Sequence, residues 1–369
     1  MRIVGLLSSG SGVGASARLC ARELLKAGIN VTTCDVSRIF AASHDLDYPR
    51  GGERQQGQGS VSVYFLNPPM LLPGLLASGL RQYYGSFNVG YWAWELETLP
   101  REWVVATAFV DAILVPSTFC KRAVSRYTEK PVIVVPHPVS KPEAAAAKNA
   151  RAATGRFRIL NVLNFGSSYE RKNPRALIRA VRLAFGDDPD VELIIKTGDG
   201  ARFPDDLARL RREADGVKNV RIIDGMWSEA ELSNLYCSAD VYASLHRSEG
   251  FGLTLAEAIM REVPVVATNW SGSVDICVPH LCYPVDYSLV PFADRHPDYN
   301  EVSGARWAEP DLHSAAAQLR AVRADPDQAR WRARELKAAF ERYVEEVTYD
   351  TALRSLVTQR SETCEAERC

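Results

Sequence analysis

The sequence predicts an α/β protein of two doubly wound, mostly parallel β-sheet domains, and three observations predict it. Short apolar runs alternate with amphipathic stretches from residue 3 to 135. A segment rich in Pro, Ala and Lys at 139–156 interrupts that rhythm and reads as a linker. The alternation then restarts at 157 and runs to 268. Strands that alternate with helices build parallel sheets covered on both faces, because each crossover must return the chain to the same end of the sheet. A length of 369 residues suits two such domains.

In the first domain, 1–138, apolar runs place strands at 3–7, 31–34, 61–66, 89–92, 112–115 and 132–135. Apolar residues at helical spacing place helices near 15–27, 71–83, 102–109 and 117–127. Residues 41–60, with Gly51-Gly52 and Gln55-Gln56-Gly57-Gln58-Gly59, have no apolar period and read as a long loop. In the second domain, 157–342, strands fall at 157–163, 191–195, 220–223, 240–245 and 264–268. Helices alternate with them near 174–185, 204–214, 228–237 and 253–261. From 311 onward the pattern is almost wholly helical, and the last helix, near 343–358, follows after the second domain has enough elements to be complete. The segment 343–369 is therefore expected to lean back on the first domain. Two open sheets joined by a linker turn their carboxyl-end crevices toward each other, so function is expected in an interdomain cleft.

Charge and cysteine content narrow the classes further. With 44 basic against 45 acidic side chains the net charge is −1, which gives no pull toward nucleic acid or an anionic membrane. No window approaches the roughly 18 apolar residues of a membrane span, and the run at 3–7 is too short for a signal-peptide core. A cytoplasmic protein is expected, with peripheral contact at the inner face of the membrane as the most that is allowed. The eight cysteines at 20, 34, 120, 237, 277, 282, 364 and 369 form no CxxC pair and lie near no His at zinc-site spacing. They read as reduced, mostly buried side chains, with Cys364 and Cys369 free in a polar tail.

Three segments carry chemistry. Gly10-Ser11-Gly12-Val13-Gly14-Ala15 follows a strand and precedes a helix, and Asp35 ends the next strand. This satisfies a dinucleotide fingerprint and makes a nicotinamide-dependent oxidoreductase a competitor, although the glycines suit any phosphate at a helix N-terminus. The second is Ser248-Glu249-Gly250-Phe251-Gly252-Leu253-Thr254-Leu255-Ala256-Glu257-Ala258. Its glycines expose backbone donors, the helix that starts near Gly252 presents partial positive charge to a diphosphate, and the two carboxylates match vicinal hydroxyls of a sugar and a ribose. The third is Gly166-Ser167-Ser168-Tyr169-Glu170-Arg171-Lys172-Asn173-Pro174, where adjacent cations before a helix suit the same diphosphate. Asp45-Leu46-Asp47 has the letters of a metal-binding DxD but sits in the polar loop, so no catalytic metal is expected. His137 is read as a strand-end cap and His246 as a packing residue.

E-x7-E from Glu249 to Glu257 in the frame EGFGLTLAEA, the strand PVVAT after it, and the Gly166-to-Lys172 spacing resemble the retaining glycosyltransferases of family four, with the GT-B fold of two Rossmann-like domains. Thr197-Gly198-Asp199-Gly200 and the approach to Gly225 extend the likeness over nearly the whole chain. Residues 90–97 (GYWAWELE), Arg171-Lys172-Asn173-Pro174 and Trp307-Ala308-Glu309-Pro310-Asp311 are similar to a subgroup associated with bacterial polysaccharide assembly.

The resemblance implies that Glu249 holds donor-sugar hydroxyls and Glu257 the ribose diol. Backbone groups of Gly250, Phe251 and Gly252 would face sugar and phosphates, with the Leu253 and Thr254 amides on the diphosphate. Lys172 would bind the diphosphate, and the loop Gly12-Val13-Gly14 would close on it from the other domain. Met226, in the turn after Gly225, would lie near the nucleobase. Two departures stand out. Ser167 occupies the position where the family usually has Arg, leaving Arg171 to supply that charge, and Glu95 beside Trp94 stands where many members carry a His.

The expected reaction is transfer of a hexosyl group, with retention and without a metal or other cofactor, from a nucleoside-diphosphate sugar. UDP- or GDP-hexoses come first as donors, and a sugar, a lipid-linked sugar or a small molecule as acceptor. A sugar-nucleotide epimerase of the same architecture, the oxidoreductase and a non-catalytic carbohydrate-binding protein remain as alternatives.

Overall fold

The computed structural model describes residues 1–42, 46–50, 60–139, 155–300 and 302–366. The loop at 41–60, Asp45, the linker at 139–156 and Cys369 lie wholly or largely outside the described residues. The chain divides into two units, one of Met1–Pro138, Asn300–Ser303 and Tyr343–Cys369, the other of Val139–Tyr299 and Gly304–Arg342.

In the first unit β1 (Arg2–Gly5), β2 (Thr32–Asp35), β3 (Ser60–Phe65), β4 (Ser86–Tyr91), β5 (Ala112–Val115) and β6 (Val132–Val134) form one parallel sheet in the order β2-β1-β3-β4-β5-β6. Helices α1 (Gly12–Lys26), α2 (Pro68–Ser78), α3 (Leu80–Tyr84), α4 (Arg101–Ala106) and α5 (Thr118–Val124) connect the strands. The single helix expected near 71–83 is two, because Gly79, a poor helix former, separates α2 from α3. Ser11 caps α1 by accepting from Gly14 N at 3.2 Å. Gly14 is fixed by packing: a Cβ there would stand 2.4 Å from Leu6 O and 2.8 Å from Ser9 O, so any side chain would push α1 off the β1 turn.

In the second unit β7 (Phe157–Asn164), β8 (Val191–Gly198), β9 (Val220–Asp224), β10 (Val241–Ser244), β11 (Val265–Thr268) and β12 (Tyr283–Val285) form a parallel sheet in the order β12-β11-β10-β7-β8-β9. Its helices are α6 (Tyr169–Lys172), α7 (Pro174–Phe185), α8 (Pro204–Ala214), α9 (Glu229–Cys237), α10 (Leu253–Met260), α11 (Leu312–Ala324) and α12 (Pro326–Glu346), the last of which runs on past Arg342 into residues of the first unit. α7 shows how local sequence sets an element. Asn173 caps it, Pro174 opens it, and the apolar stripe Ala176, Leu177, Ile178, Ala180 and Val181 is buried. The sequence reading had no strand between 269 and 310, yet β12 and an antiparallel hairpin of β13 (Tyr287–Pro291) and β14 (Arg306–Pro310) lie there. Three residues are too few to show a period, and the hairpin strands are too far apart in sequence to announce a tight turn.

β7 sits between β10 and β8, so the connections leaving this centre run in opposite directions. The loops after β7 and β10 therefore meet at the carboxyl-end switch point of the sheet, the place where open α/β sheets bind ligands.

The last helix, α13 (Tyr349–Ala366), begins later than expected. It packs in the core of the first unit, where Tyr349, Leu353 and Leu356 join Cys20, Leu24, Phe65 and Tyr91. Glu23 accepts from Tyr349 N at 2.8 Å and holds its start. His137, instead of capping a strand end, is buried among hydroxyls, with Ser16 Oγ and Tyr91 Oη each 3.2 Å from Nε2, and burial lowers its pKa to about 3. Cys20, Cys120, Cys237, Cys277 and Cys282 are buried free thiols and Cys34 is half-buried. Among the described residues no helix is long and apolar enough to cross a membrane.

Leu353 is fully buried in that core. Leu353→Ala is expected to destabilise the protein by about 2–5 kcal/mol. Chemical denaturation together with amide exchange checks this: exchange in α13 and α1 should rise, and a loss below about 0.5 kcal/mol would mean that α13 is not part of the folded core.

Candidate functional site

The loop after β7 is wound tightly. Asn164 Oδ1 accepts from Gly166 N at 2.8 Å, and Ser168 (φ 68°) and Asn173 (φ 51°) both take left-handed backbone conformations. Ser168 Oγ accepts from Arg171 N at 3.1 Å and donates to the Asp294 carboxylate. This winding turns two consecutive cations toward the loop after β10. Arg171 Nη1 lies 3.1 Å from Glu249 Oε2 and donates to Ser248 O at 2.9 Å, while Lys172 Nζ lies 2.5 Å from Glu249 Oε1. Side-chain exposures of 4%, 14% and 9% for Arg171, Lys172 and Glu249 show a buried ion triple of net charge +1. Burial by itself would raise the Glu249 pKa, but Lys172 and Arg171 outweigh it and hold the carboxyl at about 2. Backbone bonds fix Glu249 as well: its N donates to Ser271 Oγ at 2.7 Å and its O accepts from Gly272 N at 2.8 Å.

Gly252 (φ 96°) turns the chain into α10, where a Cβ would come within 2.8 Å of Leu255 Cδ1. No side chain caps α10 and its first turn carries no acid, so the amides at Leu253 and Thr254 belong to an anion-favouring helix start. Gly250 and Phe251 are buried, and the Phe251 ring faces Phe340 at a centroid distance of 6.4 Å. One turn on, Glu257 is half-buried and its Oε2 accepts from Tyr236 Oη at 2.8 Å. Burial raises its pKa, with Tyr236 and Arg261 opposing. Past β9, Met226 is 51% exposed.

Other candidates lie elsewhere. Ser167 ends a single 3-10 turn, half-buried. Gly12, Val13 and Gly14 open α1 in the first unit, with Gly12 exposed and Val13 against the core. Asp35, the acid of the dinucleotide reading, already accepts from the Ser8 and Ser37 hydroxyls at 2.7 and 2.5 Å and from Ser37 N at 3.1 Å. Glu95 is half-buried in the loop after β4, between the buried Trp94 and Leu96. His246 is buried between Ser244 Oγ and Ser273 Oγ, each at 3.0 Å, and burial lowers its pKa to about 4. It supports the Glu249 loop as a neutral packing residue.

Sequence reasoning missed Arg247. Its guanidinium donates to Glu170 O and Oε2 at 2.9 and 2.8 Å and to Glu309 Oε2 at 2.7 Å, and lies 4.9 Å from the Trp307 ring centroid. Its backbone N donates to Arg171 O at 2.8 Å and its O accepts from Ala308 N at 2.9 Å. The Trp307-Ala308-Glu309 motif thus holds the loops that carry Arg171 and Glu249, and that motif was the available signal.

A stretch of D-inositol 3-phosphate glycosyltransferase from Corynebacterium urealyticum is 32% identical over 133 residues, covering 34% of this chain and 31% of that protein. The enzyme of the same name from Kineococcus radiotolerans is 32% identical over 152 residues, covering 38% of this chain and 35% of its own. The chain thus matches about a third of the length of these curated relatives. Among solved structures, HepE from Anabaena in complex with UDP and glucose aligns over 99% of this chain and 100% of its own, with TM-score 0.65 and 15% identity. Sucrose-phosphate synthase from Thermosynechococcus elongatus aligns over 99% and 98%, with TM-score 0.65 and 14% identity. The fold they share with this chain is GT-B. The profile of the family 4 glycosyltransferases in conflict systems matches residues 118–356, well over half of the sequence, and the chain belongs to that family.

Proposed function

We propose that the protein is a retaining, metal-independent glycosyltransferase that moves a hexosyl group from a nucleoside-diphosphate sugar to an acceptor hydroxyl. The observation that carries this reading is the Arg171–Glu249–Lys172 triple beside the uncapped start of α10, at the switch point of the second sheet. Net positive charge and helix amides suit a diphosphate, and a carboxylate ionised down to about pH 2 suits the hydroxyls of the sugar attached to it. Glu257, eight residues after Glu249 and within α10, is assigned to the ribose, and the turn at Met226 to the base. UDP- or GDP-hexoses are the proposed donors. The first unit, with Glu95, is assigned the acceptor, a sugar, lipid-linked sugar or small molecule, and peripheral membrane contact is proposed only for a lipid-linked one.

The chemistry follows from where charge develops. As the bond from the anomeric carbon to the outer phosphate oxygen breaks, that oxygen gains negative charge. Lys172, Arg171 and the α10 amides stabilise it without reorganising. The acceptor hydroxyl attacks from the face the phosphate leaves, and its proton passes to the departing phosphate oxygen. No protein base and no metal is needed in this scheme.

A thermal-shift panel of UDP-, GDP-, ADP- and dTDP-sugars in the presence of EDTA tests the reading. At least one donor is expected to raise the melting temperature and to be consumed in an acceptor-dependent transfer; no shift with any of them would overturn it. Glu257→Ala loses two ribose bonds worth about 1.5–3 kcal/mol each and should weaken donor binding on the order of a hundredfold or more. Unchanged affinity in a calorimetric titration would remove Glu257 from the site.

Glu249 predicts a pH signature. Its folded pKa of about 2 lies below the ordinary value near 4.5, so its stabilisation is complete above about pH 4.5 and is lost as the pH falls toward 2. The stability gap between wild type and Glu249→Gln should be widest near neutrality and narrow by on the order of 3 kcal/mol over that interval. Denaturant titrations at a series of pH values measure it, and a gap that does not change with pH would contradict the ion triple.

A further inference from the structure

Lys196 ends the apolar run of β8 and is 4% exposed. An ammonium is costly to bury unless its protons are taken, and a Met or Leu would fill the same place without that cost. Here Nζ donates to Thr197 O at 2.7 Å and to Gly225 O at 2.5 Å, and stands 5.0 Å from the Trp227 ring centroid. Gly225 N donates to Thr197 O at 3.2 Å, and Thr197 Oγ1 donates to Asp224 Oδ1 at 2.8 Å. The carboxyl ends of β8 and β9 are thus clamped at a turn that Gly225 makes with φ 132°. Beyond the clamp the Met226 side chain is open to solvent. What the charge adds over an apolar side chain is the fixed direction of the Gly225 carbonyl, and with it the backbone of the turn at 225–227.

We propose that Lys196 is a positioning residue that sets the turn at 225–227 for recognition of the donor's nucleobase, an inference that rests on the nucleotide-sugar reading above. Lys196 touches no reacting atom in this assignment. Its loss is felt in binding of the base and not in binding of the diphosphate.

UDP, GDP and ADP are titrated into the wild-type protein, and the tightest binder is carried forward beside inorganic pyrophosphate. Lys196→Met is expected to weaken the nucleoside diphosphate about tenfold while pyrophosphate affinity stays within twofold, with Lys196→Arg recovering most of the loss. Gly225→Ala, which strains the same turn and leaves the lysine in place, should give the same profile and carries the test if Lys196→Met does not fold. Equal weakening of both probes, or unchanged nucleotide binding, overturns the inference. A wild-type protein that binds none of the three nucleotides overturns the donor reading itself, and the inference falls with it.

Discussion

A carboxylate with only 9% of its side chain exposed keeps its charge only where opposite charge surrounds it, and Glu249 does so between Arg171 and Lys172. Those three groups come from two loops far apart in sequence, joined because β7 and β10 are neighbours in the sheet. Removing Glu249 leaves two like charges buried side by side without balance, whereas removing either cation leaves a one-to-one pair. The surrounding structure keeps them together, and the net charge of +1 left over suits an anion.

That arrangement is layered. Ser271 and Gly272 hold the backbone of Glu249, His246 is wedged neutral between two serines beneath it, and Arg247 ties both loops to the hairpin through Glu170, Glu309 and Trp307. Side chains locked by such partners are preorganised, which is what electrostatic stabilisation of a developing charge requires. Glu257 and Lys196 extend the same logic in the second unit, Tyr236 fixing where the half-buried Glu257 points and the Thr197 and Gly225 carbonyls where Lys196 does.

Much of this was legible from residue order. The α/β alternation, the glycine turn before α10 and the two adjacent cations all appear at the positions where pattern and turn chemistry put them. Position alone suits the cations to a diphosphate, however, and the structure pairs both with Glu249. Sequence spacing has no means of showing that Lys172 pairs with a residue 77 positions further on. Asp35 is a similar case: its place after β2 fits a ribose-binding acid, but Ser8 and Ser37 already occupy its oxygens. Gly14 fits a phosphate loop equally well, and the close approach of Leu6 O accounts for it without one.

Local physics by itself determined most of the helices, the longer strands and the glycine turns, since periodicity, caps and backbone freedom are properties of neighbouring residues. It also marked which carboxylates and cations were candidates. Only tertiary structure decided which of them share charge, because strand order, not chain order, sets which loops meet at the switch point. Short strands such as β12 and the hairpin that carries Trp307 and Glu309 likewise exist through their partners, and nothing in three to five residues of sequence can state who those partners are.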